Sequence, residues 1–268
     1  MIFQSKHSIT SSANPKFKFL LQLEKSKFRK EQQLALVEGE KEIEMALAGQ
    51  SAFHSVYYLP EKAKHSVLFQ ISNKFKNIEF IELNQALFSK LTYRETTGGI
   101  IACIKTPSHH LSDLKIQQNA LVLIVEGVEK PGNLGAILRT ADACQIDAVI
   151  GTQLPSDLYN PNIIRSSLGT VFTVPIALSN NKELQDWLTT NNFKTYCTNL
   201  HQASDYHLSD YKGNIAIVVG TEATGVSQDW IDFADQNIKI PMLGQIDSMN
   251  VSVAAAIVLY EARRQRGF

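Results

Sequence analysis

Three polar clusters in this 268-residue chain carry side chains suited to holding a small ligand. Ser248 and Asn250 follow a strand-like run, IKIPM, and a turn marked by Pro241 and Gly244, so their hydroxyl and amide stand at the entry of a long helical stretch. Polar donors beside apolar walls suit a small polar ligand. Asn133 and Gly135 lie at a second loop-to-helix turn, with Arg139 further along that helix. A third apolar run, IAIVV, passes straight into Gly220, Glu222 and Gly225, where missing side chains let a ligand approach the backbone. Each cluster also has a plain structural reading. Ser, Asn and Gly are the usual capping residues, so Asn250 or Asn133 can serve as a helix cap. Arg139 is spaced to pair with Asp142 at i+3, and the Glu222 carboxylate can accept backbone N–H bonds across GTEATG.

The elements that must position these groups are legible from the pattern. LVLIVEGVEKPGNLGAILRTADACQIDAVIG reads as a buried strand (Leu121 to Val125), a loop, a helix from about Leu134 and a second strand ending near Gly151. Further strands near Phe193 to Thr198, Ile215 and Ile238 alternate with helices. The expectation is an α/β domain with a mostly parallel sheet covered on both faces. The final helix runs through Val253, Ile257 and Tyr260, with alanines that allow close packing. Upstream, strand-like runs at Ala35 to Val37, Ser55 to Leu59, Ile78 to Ile81 and Ile100 to Ile104 alternate with helical patterns, which implies a small α/β domain. Between them TPSHHLSDLKIQQN is polar and carries Pro107. The expected boundaries are therefore 1–105, a linker at 106–119, and 120–268. His109 and His110 fall in the linker and read as solvent-exposed histidines rather than a metal site, since no other ligand lies at suitable spacing.

Composition narrows the class. With 44% hydrophobic residues the chain can bury its own core. Cys103, Cys144 and Cys197 leave one thiol over in any pairing and read as reduced, buried packing residues. No stretch approaches a membrane span and the start lacks a signal-peptide core, so a cytoplasmic location is expected, with an organellar matrix as the variant. Neither glycine-bearing loop has the GxGxxG turn of a nicotinamide enzyme. Formal net charge is zero, from 26 basic and 26 acidic residues. Locally it is not: between Met1 and Lys30 lie Lys6, Lys16, Lys18, Lys25, Lys27, Arg29 and Lys30 against one acid, Glu24. That segment either tracks phosphates or forms the solvated face of an amphipathic helix. Arg263, Arg264 and Arg266 form a second basic cluster suited to a helix carboxyl terminus.

NLGAILRTADA, VVGTEATGVS and IPMLGQIDSMNVSVAAA, in that order and spacing, resemble the three motifs of the SpoU (TrmH-type) RNA 2'-O-ribose methyltransferases of the SPOUT superfamily. The similarity includes YNPNIIRSSLGTVFTVPI, the segment of a second arginine, here Arg165. It extends to NPKFKFLLQL, ALVEGEKEIEMAL and TTGGIIACI, which resemble the small substrate-binding domain of many members.

That resemblance implies a trefoil-knotted second domain, a homodimer, S-adenosylmethionine as methyl donor and no metal. It implies that Gly220, Ile240 and Met249, with Thr221, Met242 and Gly244, line the cofactor pocket. Leucine is common where this chain has Met249, a volume-conserving exchange. Arg139 is the implied catalytic residue, with Asn133, Glu222, Ser248 and Asn250 around it. Arg139 as general base is one reading, against which a guanidinium's resistance to deprotonation counts; fixing phosphate and polarising the hydroxyl, while Ser248, phosphate or water takes the proton, is the other. Arg165, Lys16, Lys18 and Arg29 are the expected RNA contacts. RNA is expected over DNA, which lacks the acceptor 2'-hydroxyl. Ribosomal RNA leads and transfer RNA follows, with a non-catalytic RNA-binding paralogue as the alternative of another class.

Overall fold

In the computed structural model, which describes residues 7–92, 98–200, 202–221, 224–246 and 248–268, two sheets form, each in its own unit. One unit comprises residues 1–107 and 157–173, the other 108–156 and 174–268. The first holds β1 (His7–Ile9), α1 (Pro15–Gln22), α2 (Ser26–Gln32), β2 (Leu34–Glu38), α3 (Glu40–Ala48), β3 (Phe53–Tyr58), α4 (His65–Lys74), β4 (Glu79–Leu83), α5 (Gln85–Leu91) and β5 (Ile100–Lys105). Its sheet order is β1-β4-β3-β5-β2, with β5 antiparallel to both neighbours and the other pairings parallel. Asn14 starts α1 by accepting a hydrogen bond from the Lys16 amide, and Pro15 supplies a preset first-turn φ. The helix then buries Phe17 and Leu20 in a core with Tyr57, Ile81 and Ile101.

The second unit is the α/β layer structure that the strand pattern predicts. It runs β6 (Leu121–Glu126), α6 (Pro131–Ala143) and β7 (Ala148–Thr152), passes through α7 (Pro161–Ser166) of the first unit, and returns. There follow β8 (Ile176–Ser179), α8 (Asn181–Thr190), β9 (Lys194–Thr198), β10 (Ser204–Asp205), β11 (Ile215–Val219), α9 (Gln228–Phe233), β12 (Gln236–Lys239) and α10 (Val251–Arg266). The strand order is β10-β12-β9-β11-β6-β7-β8, and each described pairing is parallel. Every residue of β6 and β11 is buried, as a parallel strand covered on both faces requires. Because the strands run parallel, the loops after β6, β9, β11 and β12 all leave at one edge. That carboxyl edge is where open α/β sheets bind ligands.

Residues 157–173 pack with the first unit, inside the stretch expected to belong wholly to the second domain. There α7 packs against β2, the turn at Thr170–Phe172 packs against α3, and Tyr159 stacks on Phe172 with centroids 6.1 Å apart. Arg29 is the anchor. It is 3% exposed, its Nε donates to Asp157 Oδ2 at 2.7 Å, and its Nη1 donates to the carbonyls of Leu23 and Glu24 at 2.8 and 2.7 Å. The expectation that Arg29 contacts RNA is thereby corrected, because a guanidinium enclosed by these acceptors has no face left for phosphate. Removing one partner of a buried ion pair strands the other, at about 3–5 kcal/mol. Arg29→Ala is therefore expected to lower the urea midpoint of the first unit, and an unchanged midpoint would show the pair to be dispensable.

Other expectations shift in detail. His109 is half-buried, with Nδ1 3.1 Å from the Ile176 carbonyl, and burial pushes its pKa down; it is not the solvent-exposed linker histidine expected. Leu111, within the same polar stretch, packs in the second unit's core. All three cysteines are free and buried. Among the described residues no helix is long and apolar enough to cross a membrane.

The carboxyl-terminal turn of α10 is tied down by other segments rather than merely complementing its own helix end. Arg263 donates from Nε to the Cys144 carbonyl at 2.7 Å, Gln265 to that of Ser209 at 3.0 Å, and Arg266 to those of Tyr211, Gly213 and Asn119. Glu261 braces this turn by accepting from Arg264 and Gln265 at 2.8 and 2.7 Å. The Arg264 hydrogen bond is the main cause holding its carboxyl down at about 2, against an ordinary 4.5. A carboxyl with a depressed folded-state pKa stabilises the fold above about pH 4.5 and loses that contribution as pH falls toward about 2. Thermal midpoints of the wild type and Glu261→Gln are accordingly expected to differ near neutral pH and converge toward pH 2; a constant gap would refute the linkage.

Candidate functional site

A cavity of about 520 Å³ opens at the carboxyl edge of the second sheet. Its floor is the ends of three adjacent strands. Thr198 to Leu200 come from the end of β9, Val219 to Thr221 from the end of β11, and Ile238 to Ile240 from the end of β12. The fourth wall is the start of α10, with Ser248, Met249, Val251, Ala254 and Val258. Of the residues expected to hold a cofactor, Gly220, Thr221, Ile240, Met242 and Met249 line this cavity. Gly244 lines an adjoining recess that shares Leu200, Lys239, Ile240 and Met242 with it. The walls are chiefly aliphatic, with Gly220 and Gly225 among them, which suits a flat uncharged ring system.

Gly220 is fixed by close approach. A Cβ there would stand 2.6 Å from the Val226 amide nitrogen and nearer still to the Gly225 carbonyl. The chain doubles back at this point. Thr221 and Gly225 exchange backbone hydrogen bonds at 2.9 and 3.1 Å, and Thr221 Oγ1 accepts from the Thr224 amide at 3.0 Å. Glu222 lies outside the described residues.

The other polar groups meet through the two helix starts. Asn250 is the N-cap of α10, its Oδ1 accepting from the Ser252 amide at 3.0 Å, so the ordinary capping reading holds. Capping is only half of its bonding. Its Nδ2 donates to Asn133 Oδ1 at 3.1 Å, joining positions 117 apart in sequence. Asn133 itself is the third residue of α6, which begins at Pro131. The N-cap position is Lys130, so Asn133 is not the cap that its loop-edge position suggests. Arg139 follows on the same helix, about 9 Å of rise beyond Asn133. Its side chain is exposed.

The expected RNA contacts lie in the first unit. Arg165, on α7, is half-buried and donates from Nη2 to Asn162 Oδ1 at 2.9 Å. Lys18 is exposed, whereas Lys16 is engaged with Glu79 at 2.6 Å. One buried acid escapes the sequence reading. Glu126, closing β6, is 4% exposed and accepts from Asn181 Nδ2 at 2.9 Å and from the Ser227 amide and Oγ, each at 2.7 Å. The available signal was LVLIVE, an acid ending an otherwise wholly apolar strand.

Residues 120–260 match the family model described as the SpoU rRNA Methylase family, and residues 14–102 match the MRM3-like substrate binding domain. The chain is 32% identical, over 95% of its length and 98% of the relative's, to the 23S rRNA (guanosine(2553)-2'-O)-methyltransferase RlmP of Bacillus subtilis. It is 40% identical to a putative TrmH family tRNA/rRNA methyltransferase of Staphylococcus aureus, over 54% of this chain and 59% of that one. Among solved structures, an RNA 2'-O ribose methyltransferase superposes with a TM-score of 0.83 at 37% identity, covering 97% of this chain and 99% of that one. An AdoMet-bound rRNA methyltransferase from Sinorhizobium meliloti does so with a TM-score of 0.90 at 27% identity, covering 97% and 98%.

Proposed function

The chain belongs to the SpoU rRNA methylase family of S-adenosylmethionine-dependent RNA 2'-O-ribose methyltransferases, and we propose that it methylates large-subunit ribosomal RNA, with the methyl donor in the cavity between β9, β11, β12 and α10. The observation that carries this reading is the meeting of motifs there. Gly220 and Thr221 face Ser248 and Met249 across one cavity, and Asn250 beside them bonds to the helix that carries Arg139. The cavity fits the donor's adenosine in size and in its aliphatic walls, and Gly220 leaves backbone where a side chain would intrude. When bound, the sulfonium supplies an already activated methyl group.

The chain's own residues then have to orient and deprotonate. Arg139 holds the phosphate next to the acceptor ribose and polarises its 2'-hydroxyl, with no metal ion in the step. Its exposure leaves the guanidinium available for this. Ser248, water or the phosphate takes the proton, and Glu222 braces the loop or touches the substrate. The Asn133–Asn250 bond keeps the two helix starts in register. Arg165, Lys16 and Lys18 contact RNA phosphates.

Ribosomal RNA is favoured because the likeness to the Bacillus subtilis enzyme runs through the amino-terminal unit as well. The same reading includes a trefoil knot at α10, a homodimer and a cytoplasmic location. The dimer is supported by Val253 and Tyr260, which lie on the outward side of α10 at 49% and 45% exposure, and by exposed Leu243 and Ile246. Transfer of label from S-adenosylmethionine to total RNA that lacks this modification, followed by nuclease mapping, tests the proposal. Label on a ribose of 23S RNA supports it, and label on transfer RNA redirects it. Cofactor binding without transfer to any RNA favours the binding-only paralogue.

A further inference from the structure

Among the described residues, Glu126 is the one acid that the second sheet buries at its ligand-binding edge without giving it a place in the cavity. Burying a carboxylate is costly, and the hydrogen bonds it accepts must compensate. Here two of its three short bonds go to a single residue. The Ser227 amide donates to Oε2 and the Ser227 hydroxyl to Oε1, both at 2.7 Å, and Asn181 Nδ2 adds a third at 2.9 Å. Ser227 is where the turn begun at Gly220 ends and α9 begins. Between them Thr221, Thr224, Gly225 and Val226 all line the cavity. The other end of the turn lies close to the same place. Gly127, next to Glu126, has φ +63, and a Cβ on it would stand 3.0 Å from the Thr221 methyl. The end of β6 therefore binds one end of the wall through the Glu126 side chain and lies close against the other through the Gly127 backbone.

We propose that Glu126 is a positioning residue for the cofactor: by anchoring Ser227 it sets the shape of the wall formed by Thr221, Thr224, Gly225 and Val226 before the cofactor arrives. This rests on the cavity being the cofactor site. Preorganisation of this kind acts on affinity, because an unanchored wall must be ordered at the expense of binding. Glu126→Gln keeps the size of the side chain, but whichever way its amide turns, an N–H faces either the Ser227 amide or Asn181 Nδ2. Ser227→Ala removes one of the three short bonds, and leaves the carboxylate and its longer bond from Gln153 Nε2 at 3.5 Å in place.

The experiment measures S-adenosylhomocysteine affinity by calorimetry and turnover at saturating cofactor and RNA, for the full chain and both variants. Loss of one such bond corresponds to about three- to tenfold in affinity. Glu126→Gln is expected to raise Kd about tenfold and Ser227→Ala about threefold, with saturated turnover within about threefold of wild type. Affinity within twofold of wild type in both variants overturns the proposal, as does saturated turnover falling as steeply as affinity. Where Glu126→Gln does not fold, Ser227→Ala decides alone. A wild-type chain that binds no cofactor refutes the site itself, an outcome distinct from wild-type binding with unperturbed variants.

Discussion

Arg139→Ala is expected to cut methyl transfer by about 10²–10³-fold while the cofactor Kd stays within about threefold. The split follows from where Arg139 sits. It is absent from the cavity lining and stands exposed on α6, beyond the Asn133 that bonds to Asn250. A side chain in that place can act on RNA and on charge developing at the acceptor oxygen without supporting the adenosine. A factor of 10²–10³ corresponds to about 3–4 kcal/mol of transition-state stabilisation, the scale of one well-placed donor. Arg139→Lys should recover little, because an ammonium cannot present the planar fork that grips phosphate at two oxygens. Single-turnover rates with saturating cofactor, set beside calorimetric affinity, check this. Affinity falling as far as turnover would place Arg139 in the cofactor site instead.

Gly220→Ala attacks the opposite property. The added methyl would overlap the Gly225 carbonyl and stand 2.6 Å from the Val226 nitrogen, and both neighbours are backbone that cannot swing aside. Either the Thr221–Gly225 hydrogen-bonded turn opens or β11 bends at its end. Overpacking of this kind costs about 1–3 kcal/mol. Since the distorted atoms form the cavity wall, cofactor affinity should fall about 10–100-fold. The thermal midpoint should fall less than it does for Arg29→Ala, because the strain is confined to an edge loop. Retention of wild-type affinity would mean that this wall does not touch the cofactor.

Sequence pattern made the sheet legible. Runs such as LVLIV and IAIVV are apolar throughout because helices cover both their faces, and the order of α and β segments followed. The motif residues were legible too, down to Asn250 at the start of its helix. Three kinds of information were not. A contact such as Asn133–Asn250 spans 117 positions, and local pattern has no reach over that distance. Arg29 sits among six other basic residues and looks like one more surface charge; only its partner Asp157, 128 positions away, shows it to be interior. On α10, Val253 and Tyr260 drew attention by size, yet the buried side is Val251, Ala255, Val258, Leu259 and Ala262. There Ala255 and Ala262 share the packed face with Val251, Val258 and Leu259, so position on the helix and not size decides burial.

The excursion at residues 157–173 bears on how such chains can be recombined. Arg29 and Asp157 are encoded far apart, yet they form one buried pair in one unit, and the turn at 170–172 belongs to the same fabric. The amino-terminal unit is therefore not a terminal cassette. Exchanging residues 1–107 with those of a relative would bring in a new partner surface for α7 while keeping the old α7, so a mismatch at Asp157 alone would leave an interior charge stranded. Gene shuffling between relatives of differing RNA preference has to carry two separated stretches together, and a single crossover after residue 107 selects against its own products.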